Sequence, residues 1–313
     1  MSWKNKYMID HGPHPLIQLL HNDAAGASTQ ELELVKLIHK EGFKCKLFGH
    51  SERIAHQILP QTDVLAVAAG DGTIRKLALD MLNGHLKHRR PIALLPHGTA
   101  NNISRALGIS GTNRQIIRSW HQQYLHPFDI GQYSIGRKYS FFLESFGFGV
   151  FPRLISIFND RKKEVAHNVD EEIHLALQYL LDIVKYYKAR MCHIQIGKQR
   201  IDEKLLLLEV MNIPSIGPRL TLSPHSDPSD GILELVYVTE AQREAFIAWI
   251  EQMIAGKSTK LEAKRILLNK ASITLPPVDW HTDDRLIKRK SKGTVHISLL
   301  GHMFDFLGTV EKK

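Results

Sequence analysis

Through about residue 125 the chain alternates short apolar runs with amphipathic stretches. Leu16–Leu20 is a strand-length apolar run that gives way to a polar loop over 21–26. Ser28 followed by Glu31 makes a capping box ahead of Leu32, Val35, Leu37 and Ile38, and Gly42 closes that predicted helix. Phe43–Phe48 alternates as a strand, and Ser51–Leu59 reads as a short helix. Asp63–Ala69 is almost wholly apolar, the pattern of a parallel strand covered on both faces. A helix is predicted from about Ile74 to Leu82, ending at Asn83-Gly84, with Pro91–Leu95 as the next strand. This strand–helix rhythm predicts an open, doubly wound α/β domain, Rossmann-like in plan.

Beyond Phe128 the texture changes. Short alternating or apolar runs dominate: Tyr139–Leu143, Cys192–Ile196, Lys204–Val210, Leu233–Val238, Ala271–Leu275 and Thr294–Leu299. Glycine and proline punctuate them, as in an antiparallel β-sandwich or barrel. Two helices interrupt the pattern, one over Asp170–Lys188 with Ile173, Leu177, Leu180, Leu181 and Val184 on one face, the other over about Ala241–Ala255. The expected fold class is α/β plus β: an N-terminal doubly wound domain over 14–127, a C-terminal antiparallel β-sandwich or barrel over 128–308, and a cleft between them.

Composition agrees with two globular domains: 313 residues, 43% hydrophobic and 23% charged. The formal net charge of +9 points to anionic partners, and 18 histidines make that charge soft near pH 6 to 7. Cys45 and Cys192 are far apart and show no metal-ligand spacing, which predicts two reduced thiols. The N-terminus has no apolar signal core, and no stretch reaches the ~18 apolar residues of a membrane span. A cytoplasmic protein with at most peripheral membrane contact is expected.

The chemistry concentrates in two turns. Gly70-Asp71-Gly72-Thr73 follows the apolar strand and opens a helix. Glycines there let backbone N–H groups approach a phosphate, and a helix N-terminus favours negative charge. One strand later, Pro96-His97-Gly98-Thr99-Ala100-Asn101-Asn102 repeats the plan. In a parallel sheet both turns leave the carboxyl edge, where such folds bind ligands. Thr99, Asn101 and Asn102 offer hydrogen-bonding side chains for phosphate or ribose, and Asn22 reaches the same edge from the first strand. Each turn also reads as a plain tight turn. Neither a Walker P-loop nor a dinucleotide fingerprint is present.

Together these two turns resemble the diacylglycerol kinase catalytic family, whose signatures are Gly-Gly-Asp-Gly-Thr and Pro-x-Gly-Thr-x-Asn-Asp. That family includes sphingosine kinases and soluble bacterial lipid kinases and is distantly related to NAD kinases. The likeness continues through Arg105-Ala106-Leu107-Gly108-Ile109, through Asp129-Ile130-Gly131, which is similar to the opening of the family's second domain, and through Ser145–Val150. Asp227-Pro228-Ser229-Asp230-Gly231-Ile232-Leu233 is similar to a segment that binds a structural magnesium in bacterial members. By that resemblance Asp230 is a ligand, assisted by the carbonyls of Asp227 and Ile232; read without it, the segment is a polar turn. The resemblance implies an NAD-kinase/diacylglycerol-kinase-like fold, ATP and Mg²⁺ as cofactors with Mg²⁺ near Asp71, and a lipid substrate.

Three departures stand out. Ala69 replaces the first glycine of the first motif. Lys76 stands where many relatives have Glu, either meeting phosphate or facing solvent. Relatives end with Asp-Gly-Glu, whose acids approach the acceptor hydroxyl; here the stretch reads Trp280-His281-Thr282-Asp283-Asp284-Arg285. Asp283 or Asp284 is then the candidate general base, with His281 beside them. Arg285, Lys288, Arg289, Lys290 and Lys292 put five cations in eight residues with no acid, suited either to an anionic leaflet or to a soluble turn. Tyr186-Tyr187 among basic residues carries no RNA-binding signature, so no nucleic-acid partner is expected, and a homodimer stays open. The function expected is transfer of the γ-phosphate of ATP to a hydroxyl of diacylglycerol or a related lipid. The alternatives are an NAD-kinase-like enzyme and a non-catalytic nucleotide- or lipid-binding regulator.

Overall fold

A computed structural model of the chain describes residues 14–21, 29–48, 54–83, 89–160, 169–217, 219–257, 259–289 and 291–309. Asn22, Ser28, Gly84 and Lys290 therefore lie outside the described residues. The chain divides into two compact units, one formed by 1–128 with 302–313 and the other by 129–301. The last strand thus ends in the N-terminal unit, a return that the expected span of 128–308 does not contain.

In the N-terminal unit β1 (Leu16–His21), α1 (Thr29–Lys40), β2 (Lys44–Leu47), β3 (Val64–Ala69), α2 (Asp71–Leu82), β4 (Ile92–Pro96), α3 (Asn102–Ala106) and α4 (Asn113–Ser119) follow one another. Strands β2, β1, β3 and β4 are parallel neighbours in that order, and Phe306 and Leu307 add a further parallel partner beside Ile92 and Ala93 of β4. Every residue of β3 is buried, as its unbroken apolar run requires. The expected helix over 51–59 is, in its described part, only a single 3₁₀ turn at Ala55–Gln57. Its backbone donors go elsewhere: Ala55 N–H bonds to the Asp80 carboxylate and Leu59 N–H to the Gln18 side chain, so no helical ladder continues.

β5 (Leu125–Ile135) runs into the second unit. There follow β6 (Lys138–Phe142), β7 (Ser145–Gly149), α5 (Val150–Asp160), α6 (Val169–Tyr186), β8 (Arg190–Ile196), β9 (Gln199–Met211) and the short pair β10 (Ser215–Ile216) and β11 (Leu220–Thr221). β12 (Leu233–Thr239), α7 (Arg243–Ile254), β13 (Lys264–Leu268), β14 (Lys270–Leu275), β15 (Trp280–Thr282), β16 (Arg285–Ile287) and β17 (Gly293–Leu307) complete it. The long strand β9 organises this unit. Its first half pairs with β8, while its second half lies between β7 and β12, all antiparallel. One apolar cluster joins Phe146, Phe148, Leu208, Val210 and Trp280. A second joins Met211 and Leu207 to Phe151 of α5, to Leu177, Leu180 and Val184 of α6, and to Phe246 of α7. The face of α6 legible in the sequence is the face that packs.

Candidate functional site

In the N-terminal unit the two glycine turns are fastened to each other. Strand register sets Ala69 beside Pro96 and His21 beside Ala68, so β1, β3 and β4 end level. Gly70 and Gly98 then meet backbone to backbone: a Cβ on Gly98 would fall 2.5 Å from Gly70 Cα, and one on Gly70 would fall 3.1 Å from Gly98 Cα. Asp71 reaches across the contact, its carboxylate accepting the N–H groups of Asn102 at 2.8 Å and Ile103 at 3.1 Å. It thereby caps the first turn of α3 from another loop. Asn101 takes a left-handed conformation (φ 52°), and its amide grips Gly98 from both sides, accepting from the N–H at 2.8 Å and donating to the carbonyl at 2.6 Å. Gly70 is the residue before α2, and Thr73 N–H bonds to the Gly70 carbonyl at 3.1 Å.

Of the residues predicted to line the site, the fold gathers Gly70, Asp71, Gly72, Thr73, Gly98, Thr99, Asn101 and Asn102 at the ends of β3 and β4. Asp71 and Asn101 serve the turns themselves. Gly72 is exposed, Thr73 and Thr99 are half-buried, and Asn102 is buried. Lys76 is exposed on α2. Two histidines stand at the same edge: His21 lies edge-on to His97 with 6.1 Å between ring centres, and His97 contacts Asn113 at 3.2 Å.

In the second unit Asp283 and its neighbour part company. Asp283 is 7% exposed, with φ 51°. Its carboxylate accepts the N–H groups of Leu143, Glu144 and Ser145 at 2.8 to 3.2 Å, and its own N–H bonds to the Ser145 carbonyl at 2.8 Å. Asp284 and Arg285 are exposed on the tip of the β15–β16 hairpin. Of the two candidate bases, only Asp284 has its side chain open to a substrate.

Behind the turn lies a buried pair whose two members are 0% and 1% exposed: Glu209 Oε1 and His281 Nε2 are 2.8 Å apart. Burial pushes the Glu209 carboxyl up, against the opposing pull of His281 and the Ser145 hydroxyl. Burial alone would lower His281, but the charge and hydrogen bond of Glu209, with Asp283, raise it. Glu209 was missed in the sequence, although a lone acid inside the run Leu205–Met211 is itself a signal.

The segment over 227–232 folds as two nested turns. Asp227 Oδ1 accepts the Ser229 N–H at 2.9 Å and hydroxyl at 2.8 Å, and Asp230 Oδ1 accepts the Ile232 N–H at 2.9 Å. Asp129, 3% exposed, ties them to β5: its carboxylate accepts the Gly231 N–H at 2.8 Å and its backbone N–H donates to the Pro228 carbonyl at 2.5 Å. Partial burial, then the charges of Asp227 and Asp129, push the Asp230 carboxyl above its ordinary range. Crowded oxygen donors of that kind suit a hard divalent cation such as Mg²⁺. Among the described residues no three His, Cys, Asp or Glu side chains converge as metal ligands, so the donor set would be one carboxylate completed by carbonyls and water.

Arg289 stacks on Trp280, 5.1 Å from the ring centre, and its N–H bonds to Asp279 at 3.1 Å. One cation of the basic hairpin is thus folded onto the sheet, while Arg285, Lys288 and Lys292 are exposed. No described helix is long and apolar enough to cross a membrane.

Residues 17–133 match the profile of the diacylglycerol kinase catalytic domain, and residues 160–278 that of the YegS C-terminal NAD kinase beta sandwich-like domain. The chain is similar to the diacylglycerol kinase of Bacillus subtilis (strain 168), 24% identical over 225 residues that cover 68% of this chain and 67% of that one. It also resembles a Serratia proteamaculans (strain 568) protein named "Probable lipid kinase YegS-like", 24% identical over 234 residues, covering 73% and 74% of the two chains. A crystal structure of a diacylglycerol kinase from Bacillus anthracis str. Sterne shares the fold, with a TM-score of 0.67, 17% identity, and coverage of 95% of this chain and 98% of that one. With both of its regions matched in order and both signature turns in place, the chain belongs to the diacylglycerol kinase catalytic-domain family of lipid kinases.

Proposed function

We propose that this protein is an ATP-dependent lipid kinase that transfers the γ-phosphate to a hydroxyl of diacylglycerol or a related lipid. The observation that carries the proposal is the clasp of the two signature turns, Asp71 on the amides of Asn102 and Ile103 with Gly70 against Gly98. A rigid glycine edge beside the start of α2 is what a triphosphate needs, because phosphoryl transfer depends on positioning and charge neutralisation more than on covalent help from the protein. Gly72, Thr73 and Thr99 would contact the phosphates. Mg²⁺ would supply positive charge to the developing phosphates near Asp71, and a second ion would sit with Asp230 and the carbonyls of Asp227 and Ile232.

On the acceptor side Asp284 is the base. As the lipid hydroxyl oxygen attacks the γ-phosphorus, its proton passes to the Asp284 carboxylate and the bond to the ADP oxygen breaks. Asp283 holds the turn. Exposed Arg285, Lys288 and Lys292 favour an anionic bilayer surface, consistent with a cytoplasmic protein working at the membrane face.

The test is transfer of labelled phosphate from γ-labelled ATP, with Mg²⁺, into separate lipid classes. A labelled lipid with the intact protein and a loss of at least about a hundredfold in Asp284→Asn are expected; no labelled lipid in any class refutes the proposal. A second reading, a non-catalytic nucleotide- or lipid-binding regulator, is favoured by one observation: the carboxylate of Asp283 is taken up by backbone amides while Arg285 stands in the place of an acid. Stabilisation by ATP without turnover is its signature.

A further inference from the structure

Glu209, Gly147 and His281 stand in one row across three strands. Gly147 of β7 pairs with Glu209 of β9 on one side and with His281 of β15 on the other. Neighbouring strands lie about 4.8 Å apart, so side chains two strands away meet only over an empty middle position. Gly147 supplies it: a Cβ there would lie 2.3 Å from the Glu209 carboxyl. Phe151 of α5 closes the face, 6.2 Å from the His281 ring centre.

The ring's other nitrogen fixes the proton count. His281 Nδ1 is 2.8 Å from the carbonyl oxygen of Asp283. A carbonyl only accepts, so Nδ1 carries a hydrogen. Nε2 then faces a carboxyl oxygen at 2.8 Å, a contact that requires one further proton between the two atoms. Glutamic acid beside neutral imidazole and carboxylate beside imidazolium both satisfy it. With that proton gone, a lone pair faces an anion and the contact fails. The groups acting electrostatically on the pair are its own two members, Asp283 from the hairpin turn and the Ser145 hydroxyl from β7, and α5 presents Phe151.

We propose that Glu209 and His281 are positioning residues whose shared proton holds the Asp283-Asp284 turn in the shape that presents Asp284 to the acceptor hydroxyl. His281 anchors the Asp283 carbonyl, and the Asp283 carboxylate anchors Leu143, Glu144 and Ser145, so the turn is held on both sides. The link to turnover rests on the lipid-kinase reading; the link to the turn does not.

The experiment is site-resolved amide exchange at Leu143, Glu144 and Ser145 as a function of pH, corrected for intrinsic exchange, in the intact protein and in Glu209→Gln. In the intact protein protection should fall at least about tenfold as the pair loses its proton. In Glu209→Gln the side-chain amide donates to Nε2 of the neutral ring, so this pH dependence should vanish. With lipid and ATP, Glu209→Gln should lose about ten- to a hundredfold in kcat while KM for ATP changes less than about twofold. Protection that is flat with pH in the intact protein, or a kcat–pH profile identical in the two proteins, overturns the proposal. If no lipid is phosphorylated, the kinase reading alone falls and the exchange titration still decides. If Glu209→Gln does not fold, the titration of the intact protein decides.

Discussion

Gly70→Ala and Gly98→Ala add the same methyl group to opposite sides of one contact, yet the geometry makes them unequal. Neither glycine has a positive φ, so alanine can adopt both conformations and space alone decides. On Gly70 the new Cβ lies 3.1 Å from Gly98 Cα, a crowding that a shift of a few tenths of an ångström relieves. On Gly98 it lies 2.5 Å from Gly70 Cα and 2.8 Å from Asn101 Oδ1, so one turn must move and the clamp on Gly98 must open. Overpacking costs about 1 to 3 kcal/mol. Losing the two Asn101 bonds adds about 0.5 to 1.5 kcal/mol each. Gly98→Ala should therefore destabilise by about 2 to 6 kcal/mol and Gly70→Ala by less than about 1.5 kcal/mol. At about 2 to 4 °C per kcal/mol the melting temperatures should fall by roughly 4 to 24 °C and by no more than about 6 °C. Urea and thermal melts give both values, and calorimetric titration with ATP tests the edge itself, which Gly98→Ala should weaken more. Equal losses in the two variants, or a neutral Gly98→Ala, would refute the clasp.

Other consequences are as open to measurement. Asp71→Ala should cost about 1 to 3 kcal/mol in urea melts, because the amides of Asn102 and Ile103 lose their acceptor, and Asp71→Asn should recover part of that. Asp284→Asn should leave melting unchanged while abolishing most turnover, unlike Asp283→Asn, which should also lower the melting temperature because three amides lean on that carboxylate. Glu209 and His281, each raised by burial or by the other, share one proton that the folded chain keeps above the pH at which an unfolded histidine loses it; stability should decline as pH rises from about 6.5, by at most about 1.4 kcal/mol per pH unit, and the decline should shrink in Glu209→Gln. Burial pushes both thiols up to about 12, so native Cys45 and Cys192 should resist alkylation at pH 8 and react once unfolded; rapid native labelling of the buried Cys192 would contradict this.

The elements legible in the sequence are those whose own residues decide them. β3 shows as an unbroken apolar run, and α6 shows its packed face at helical spacing. The elements that escaped depend on distant partners. The donors of Ala55 and Leu59 are taken by Asp80 and Gln18, so a stretch with helical pattern makes a single turn. β15 and β16 are three residues each, too short for a period, and exist because β7 lies beside Trp280–Thr282. The return of the last strand to β4 is likewise a pairing of Phe306 and Leu307 with Ile92 and Ala93, more than 200 residues away, which no local pattern records.

The candidate site divides along the same line. The glycine turns were legible because glycine answers a local demand, a close backbone approach, and local demands leave fixed spacings. The acid was not. By the resemblance Asp283 would take the place of the family's Asp and Asp284 that of its glycine, yet the Asp283 oxygens are spent on three amides of the β6–β7 connection, whereas Asp284 stands exposed. Motif resemblance ranks these two carboxylates by position, and hydrogen bonding ranks them by what each is free to do. Glu209 carries the point furthest. Its meaning depends on a missing side chain at Gly147, one strand over, and on His281 beyond it. A row of acid, glycine and histidine across three strands leaves no spacing in the chain, because strand pairing puts residues 147, 209 and 281 side by side.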